Sequence, residues 1–435
     1  MTDLVTFITT DYAGITRGRS FPAADLRPGT GQSTGWVPAN MSLTPFDLIA
    51  DPNPWGSTGD LRLLGDEAAR FRAILPGAAT PLDVMCADIT DLAGTSWPLC
   101  PRGMLKSAVA DLQTETGLRV ITSFEHEFQL FGTGLPAAPA FSLQALRQVG
   151  RFGPDLVAAC QTMGLQPETF IAEYGRDQYE ITLAPCNPVQ AADRAVILRE
   201  VTRELARIRG WRASFAPKTA LNGVGNGVHI HYSLSDAAGP VSHDPGLPGG
   251  VSTRMGAFTA GILRHMPALI AVTTPSQISG LRLQPHNWSS SYTWFGDADR
   301  EASLRICPIN RIADREAARA FNIEYRPADA CAGPHLALAF LIRAGLQGLR
   351  EGLPTPPLYS GDPAALTPTE RSALGLQRLP DTLAKALDAL LADKVACGWL
   401  QPIALETYTG MKRREIALAG PVPDDAMCQR YAAIY

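Results

Sequence analysis

Four short segments of this sequence set acidic and imidazole side chains on alternate positions, and no other feature restricts the fold as much. Side chains on a β-strand alternate faces with period two. In residues 124–130 (FEHEFQL), Glu125 and Glu127 share one face, and Phe124, Phe128 and Leu130 share the other. Read as a single strand, residues 173–181 place Gln178 and Glu180 opposite Tyr179 and Ile181. Residues 228–233 set His229, His231 and Ser233 against Val228, Ile230 and Tyr232. In residues 322–326, Glu324 and Arg326 oppose Ile323 and Tyr325. Any one of these strands alone reads as an ordinary antiparallel strand with a solvated face. Four together point to a sheet with one apolar face and one face rich in Glu and His, with no Lys on it.

Carboxylates gathered on one face repel each other, which raises their pKa values unless cations sit among them. Hard divalent ions relieve that repulsion. Mg²⁺ or Mn²⁺ takes carboxylate oxygens in octahedral geometry and keeps open positions for water or phosphate, and one imidazole suits Mn²⁺ as easily as Mg²⁺. A structural zinc site prefers Cys and His, so the carboxylate excess argues against one. A second constellation is cationic and comprises Arg282, Arg300, Arg305 and Arg326. Guanidinium groups read carboxylates and phosphates bidentately, and beside a divalent-metal cluster they are the parts a phosphoryl-transfer site needs. The sequence has no GxxxxGK[ST] loop, so no P-loop holds a nucleotide.

Composition removes other classes. Lys plus Arg is 38 against 42 for Asp plus Glu, and this near balance argues against a nucleic-acid binder. The start, MTDLVTFITTDYAG, lacks the charged and apolar regions of a signal peptide, and no apolar run of transmembrane length occurs. The eight cysteines include no CxxC pair, so they are expected to be cytoplasmic thiols and the protein cytoplasmic. Local patterns predict a strand over 4–9 in a hairpin with 15–21, loops at 29–36 and 51–59, and a strand over 83–88. Helices are predicted over 102–117, 142–164, 188–208, 335–349 and 380–396, with a Pro-rich surface loop over 352–372. The composition shift at Pro101 places a boundary near residue 100. The expected architecture is α+β, with a small β-rich domain over 1–100 and a larger sheet with helices on its outer face over 101–435.

Taken in order, these segments resemble the glutamine synthetase superfamily, class I type. The resemblance rests on Glu125 and Glu127 in one strand, on Glu173, Gln178 and Glu180, on GNGVHIHYSL after a loop containing Lys218, on DREASLRI, and on NIEYRPADACAGPHLALA. TDYAGITRGR near the start and PRGMLK at 101–106 add to it, and the match is colinear from about residue 5 to the end. The resemblance implies a β-grasp-like N-terminal domain and a catalytic domain built on a curved antiparallel sheet flanked by helices. It implies ATP and Mg²⁺ (or Mn²⁺) as cofactors, and a homo-oligomeric ring, commonly two stacked hexamers, with each site at a subunit junction.

Carried over residue by residue, it implies that Glu127, Glu173 and Glu180 hold a metal beside glutamate. Glu125, His229 and Glu324 hold the metal that bridges the nucleotide phosphates. His231, Arg300 and Arg305 contact the phosphates being transferred, with Ser233 also on the nucleotide side. Arg282 and Arg326 clamp the α-carboxylate of glutamate, and Gly225 offers backbone to its amino end. The seven-residue spacing from Glu173 to Glu180 is similar to the γ-glutamyl-amine ligase branch.

Two departures concern the acceptor. The loop after Arg282, residues 284–291 (QPHNWSSS), contains no acid, and Trp288 stands about where the family carries a Glu that handles ammonium. The N-terminal Asp-Gly-Ser-Ser motif has no counterpart, with only Asn40 to Leu43 and Asp47 in its region. The family's Asn-Arg-Ser becomes Asp299-Arg300-Glu301, and its Asn before Gly225 is Val224. The leading expectation is an ATP-dependent ligase that phosphorylates the γ-carboxylate of glutamate and passes the γ-glutamyl group to a small amine. The alternatives are glutamine synthesis from ammonium, a non-catalytic homologue, and a metal-dependent hydrolase.

Overall fold

The computed structural model describes residues 2–310, 312, 316–420 and 422–435. Five strands form the first sheet: β1 (Leu4–Thr10), β2 (Thr16–Pro22), β3 (Ser33–Trp36), β4 (Leu61–Ala73) and β5 (Leu82–Thr90), in the order β2-β1-β5-β4-β3. β1 and β2 form the expected hairpin, and β1 pairs with β5 in parallel. Residues 29–36 were expected to be loop throughout, but Ser33–Trp36 pairs with β4, whose alternating burial anchors this short edge. This small near-barrel sheet packs into the same apolar core as the rest of the chain.

Helix α1 (Pro101–Thr116) starts with Pro at its first turn and stops at Gly117, which takes the left-handed conformation a C-cap needs. It leads into β6 (Arg119–Phe131), whose burial alternates along 13 residues. The 142–164 helix is two pieces, α2 (Leu143–Gln148) and α3 (Phe152–Thr162), because Gly150 between them has φ of 58°. The segment 173–181, expected as one strand, is also two pieces. β7 (Pro167–Ala172) and β8 (Gln178–Leu183) flank a turn in which Asp177 has φ of 52°, so Glu173 sits at the turn. Helix α4 (Pro188–Ile208) begins as predicted, with the Asn187 side chain accepting from the Gln190 N–H.

Strands β9 (Arg212–Ser214), β10 (Val228–Ser235), β11 (Phe295–Asp297), β12 (Leu304–Ile306) and β13 (Ile323–Tyr325) complete the second sheet. Its order is β11-β12-β13-β10-β6-β8-β7, with β9 on the end of β6. The sheet is mixed, not wholly antiparallel, because β11 and β12 run parallel at one edge.

Sequence pattern did not predict α5 (Thr253–Thr273), the one described helix long and apolar enough to cross a membrane. It is a buried core helix that crosses the later α8 very closely. A Cβ on Gly261 would overlap the Ala344 carbonyl, and one on Gly348 would overlap that of Ala257, so only glycine allows this approach. Short α6 (Ser279–Arg282) and α7 (Ala317–Ala320) precede α8 (Pro334–Arg350). The 352–372 segment is mostly loop but ends in α9 (Pro368–Ala373), which carries a capping box from Thr367 and Glu370. The helix expected over 380–396 starts at Leu383 as α10 (Leu383–Ala392) and breaks at Asp393 before α11 (Lys394–Cys397). Two helices with no predicted counterpart, α12 (Pro402–Ala419) and α13 (Asp424–Ile434), end the chain.

Candidate active site

Strand register brings the acidic and imidazole residues together. Glu125 on β6 lies opposite His229 on β10, and Glu127 lies opposite Glu180 on β8. On the other side of β10, His231 faces Glu324 on β13, which in turn faces Arg305 on β12. One row thus runs His231–Glu324–Arg305 across three strands, and like charges stand directly opposite at Glu127 and Glu180. Like charges so placed destabilise a sheet unless a cation separates them.

Distances show how tight the cluster is. His229 Nδ1 lies 3.3 Å from both Glu125 Oε2 and Glu324 Oε1, and its Nε2 lies 3.9 Å from Glu127 Oε1. His231 Nε2 is 3.0 Å from Glu125 Oε1, while its Nδ1 is 2.9 Å from Asn322 Oδ1. Glu127 also accepts from the Gly227 N–H at 2.9 Å. Donor atoms of Glu125, Glu180 and His229 lie within 4.8 Å of one another, and so do those of Glu125, His231 and Glu324. This grouping differs from the partition implied by resemblance. Glu125 belongs to both groups, His231 stands among the donors, and Glu127 and Glu173 lie outside the two triplets.

The arginines converge on the same place. Arg305 donates to Glu324 at 3.0 Å, and Arg326 donates to the other oxygen of Glu324. Arg282 donates to the carbonyls of Pro327 and Ala328. Its side chain fills the space beside Gly225, where any Cβ would overlap it. The buried Nε groups of Arg282, Arg305 and Arg326 have no hydrogen-bond partner among the described residues, which leaves N–H donors for an anionic ligand. Arg300 is exposed and lies near enough to Glu173 to favour its ionised form. Ser233 lies two residues beyond His231 on the same face, half-buried and without a side-chain hydrogen bond among the described residues.

Two further groups support the site: Gln178, which the sequence placed on the polar face without a role, and Asn322, which it did not single out. Gln178 donates to the Gly225 carbonyl and to Asn226 Oδ1, both at 2.8 Å, and fixes the glycine turn before β10. Asn322 orients His231. Its position two residues before Glu324, on the same strand face, is a signal the alternation rule would have found.

With this geometry established, comparison with known proteins is decisive. Residues 98–431 match the glutamine synthetase catalytic domain, and residues 1–97 match the glutamine synthetase N-terminal domain. The chain belongs to the glutamine synthetase family. It is 35% identical over 435 residues to the gamma-glutamylpolyamine synthetase GlnA3 of Streptomyces coelicolor, covering 97% of this chain and 91% of that one. A crystal structure described as a novel glutamine synthase homolog is 45% identical, with a TM-score of 0.92, and covers 100% and 99% of the two chains. A GmaS/ADP complex shares the fold at 23% identity and a TM-score of 0.80, covering 97% and 95%. The family's catalytic domain implies an ATP-dependent glutamate–ammonia or glutamate–amine ligase.

In this glutamine synthetase family member the electrostatics of the site split its acids into two groups. Burial raises the Glu180 carboxyl to about 9, with Glu125, Glu127, Glu173 and Glu324 adding to the rise. Burial, then Glu127, brings Glu173 to about 7. Burial would also raise Glu324, but His229, Arg326 and His231 outweigh it and hold the carboxyl at about 2. Glu125 is likewise held well below the usual range, by His231 and His229 against its burial. Free of metal, the folded protein therefore holds protons on Glu173 and Glu180 that the unfolded chain has lost. Its stability falls as pH rises above the ordinary carboxyl value of 4.5 toward about 9. A divalent cation bound among these carboxylates would take the place of those protons. The rise in melting temperature on adding Mg²⁺ is expected to be larger at about pH 9 than at about pH 6. Differential scanning fluorimetry with and without Mg²⁺ measures this, and an equal or smaller shift at the higher pH would contradict the assignment.

Proposed function

We propose that the protein phosphorylates the γ-carboxylate of glutamate with ATP and joins the γ-glutamyl group to an organic amine, releasing ADP and phosphate. The observation that carries this reading is the convergence of Glu125, Glu180, Glu324, His229 and His231 with Arg305 and Arg326 at one sheet face, with Arg282 of α6 beside Gly225 and Gly227. Glu125, Glu127, Glu173, Glu180, His229 and Glu324 would hold two divalent ions. When bound, Mg²⁺ or Mn²⁺ supplies charge neutralisation for the phosphates. The raised carboxyls of Glu173 and Glu180 and the Glu127–Glu180 juxtaposition fit such ions, because they mark negative charge packed closer than protein groups alone relieve.

Around that centre the chain's own residues bind and orient. Arg282 and Arg326, whose buried Nε groups lack partners among the described residues, would clamp the carboxylate of glutamate, and Gly225, against which Arg282 packs, would offer backbone to its amino end. Arg300, Arg305 and His231 stabilise the phosphoryl group in transfer, where preorganised cations lower the barrier most. Burial opposes a proton on His231, but Glu125 outweighs it and raises the imidazole's pKa well above its usual value.

The acceptor half rests on the 284–291 loop. Ammonium needs a negative group to bind it and a base to take its proton, and the loop supplies no acid. His286 is exposed, and its Nε2 is 2.9 Å from Asp362, whose hydrogen bond raises the imidazole's pKa. Trp288 offers a ring that packs on an alkyl or aryl group and attracts an ammonium head through its face. The name of GlnA3, at 35% identity, supports an amine acceptor. By family resemblance the working form is a homo-oligomeric ring, commonly a dodecamer. Phosphate release is expected to require ATP, glutamate, an amine and a divalent cation together, and EDTA is expected to abolish it. Release that persists without glutamate or without the cation would overturn the ligase reading.

A further inference from the structure

The 284–291 loop is held by a carboxylate outside the Glu–His cluster. Glu301 Oε1 accepts from the backbone N–H of Trp288 at 2.9 Å, and its Oε2 accepts from that of His286 at 3.1 Å. One side chain thus grips two backbone donors two residues apart. Both gripped residues have left-handed backbones, φ 64° for His286 and 51° for Trp288, a conformation that costs a non-glycine residue energy unless its surroundings hold it. Glu301 is itself fixed, since its N–H donates to Asp299 Oδ1 at 2.8 Å and its carbonyl accepts from Trp294 Nε1 at 2.8 Å.

From this clamp the loop reaches the substrate arginines. The Trp288 carbonyl accepts from Arg326 Nη2 at 3.3 Å, and the buried Ser289 hydroxyl donates to the Arg282 carbonyl at 2.6 Å. The Trp288 side chain is 67% exposed and has no aromatic or cationic stacking partner among the described residues. A large apolar side chain left open, on a backbone pinned beside Arg326, is a preformed wall for a ligand.

We propose that Glu301 is the positioning residue for acceptor specificity. By forking onto the His286 and Trp288 N–H groups it holds Trp288 rigid beside Arg326, as a contact surface for an amine carrying an alkyl or aryl group. This inference rests on the amine reading given above. The Glu301 contacts run to His286, Trp288, Trp294 and Asp299, so its effect is expected in loop order and acceptor binding rather than in ATP chemistry.

The test pairs hydrogen exchange with steady-state kinetics on Glu301→Ala and the isosteric Glu301→Gln, which keeps at most one of the two acceptors. Exchange in a peptide spanning 284–291 is expected to quicken at least about tenfold in Glu301→Ala, and by less in Glu301→Gln, with the β6 and β10 peptides unchanged. KM for the best primary amine is expected to rise about tenfold, with kcat changed less than about threefold, so that the preference over ammonium shrinks. Unaltered loop exchange would overturn the proposal, as would a wild-type amine preference that survives in both variants. A wild-type enzyme that uses only ammonium would sink the amine reading, and this proposal with it. A surviving preference would overturn this proposal alone.

Discussion

Replacing Arg300 with alanine is expected to lower kcat by about 10²–10³ while changing KM for glutamate far less. Arg300 is exposed in the turn between β11 and β12, and no ion pair engages it among the described residues. In the proposed role, that charge would be used most as the phosphoryl group moves. Arg326 is the contrast. It is buried and bound to Glu324 and to the Trp288 carbonyl, and in the proposed function it would clamp the glutamate carboxylate. Arg326→Ala is expected to raise KM for glutamate by more than it lowers kcat, through loss of a bidentate contact. Steady-state kinetics at saturating ATP separate the two, and a swapped pattern would show that the roles are exchanged.

Arg102→Ala is expected to destabilise the fold by about 3–5 kcal/mol, the range for breaking a buried ion pair by removing one partner. Arg102 on α1 makes a bidentate pair with Asp193 on α4, at 3.0 and 2.9 Å. It also reaches Asp88 on β5 at 3.1 Å and Asp66 on β4 at 2.7 Å, while His335 on α8 donates to Asp193 at 2.8 Å. One guanidinium thus ties the first sheet to α1 and α4, both of which pack on β6, and Asp193 extends the cluster to His335 on α8. Burial would raise the Asp193 carboxyl, but His335 and Arg102 hold it at about 2. Its folded value is depressed, so its contribution is present above the ordinary value of 3.8 and is lost as pH falls toward about 2. Thermal or urea unfolding of Arg102→Ala at neutral pH measures the loss. Arg102→Lys keeps the charge but not the fork, so it should recover only part. A wild-type midpoint for Arg102→Ala would mean that the cluster is merely a solvated surface feature.

How much of this was legible depended on the length scale of each signal. The faces of β6, β8, β10 and β13 could be read because alternation is local, and register then brought Glu125, His229 and Glu324 together. The turn at 173–177 was not, since Glu173 keeps the polar pattern while Asp177 breaks the strand through a left-handed backbone that propensity does not announce. Helix α5 was missed because it is apolar on nearly every side, which hides helical period, and its partner α8 lies far along the chain. Glu301 stood out in the sequence as a departure from Asn-Arg-Ser. Its grip on His286 and Trp288 spans more than a dozen residues and two backbone N–H groups, which no side-chain pattern encodes. The parallel β11–β12 edge was likewise set by the chain's route between the strands rather than by either strand's residues.

The metal and phosphate machinery proposed for this glutamine synthetase family member is expected to serve an organic amine. The most direct measurement offers the enzyme glutamate, ATP and Mg²⁺ with equimolar ammonium and a panel of primary amines in one vessel, and counts the products by mass spectrometry. The expected result is a γ-glutamyl amide of at least one amine, with kcat/KM above that for ammonium by at least about tenfold, or roughly 1.4 kcal/mol. Efficient glutamine formation with every organic amine inert would contradict the account.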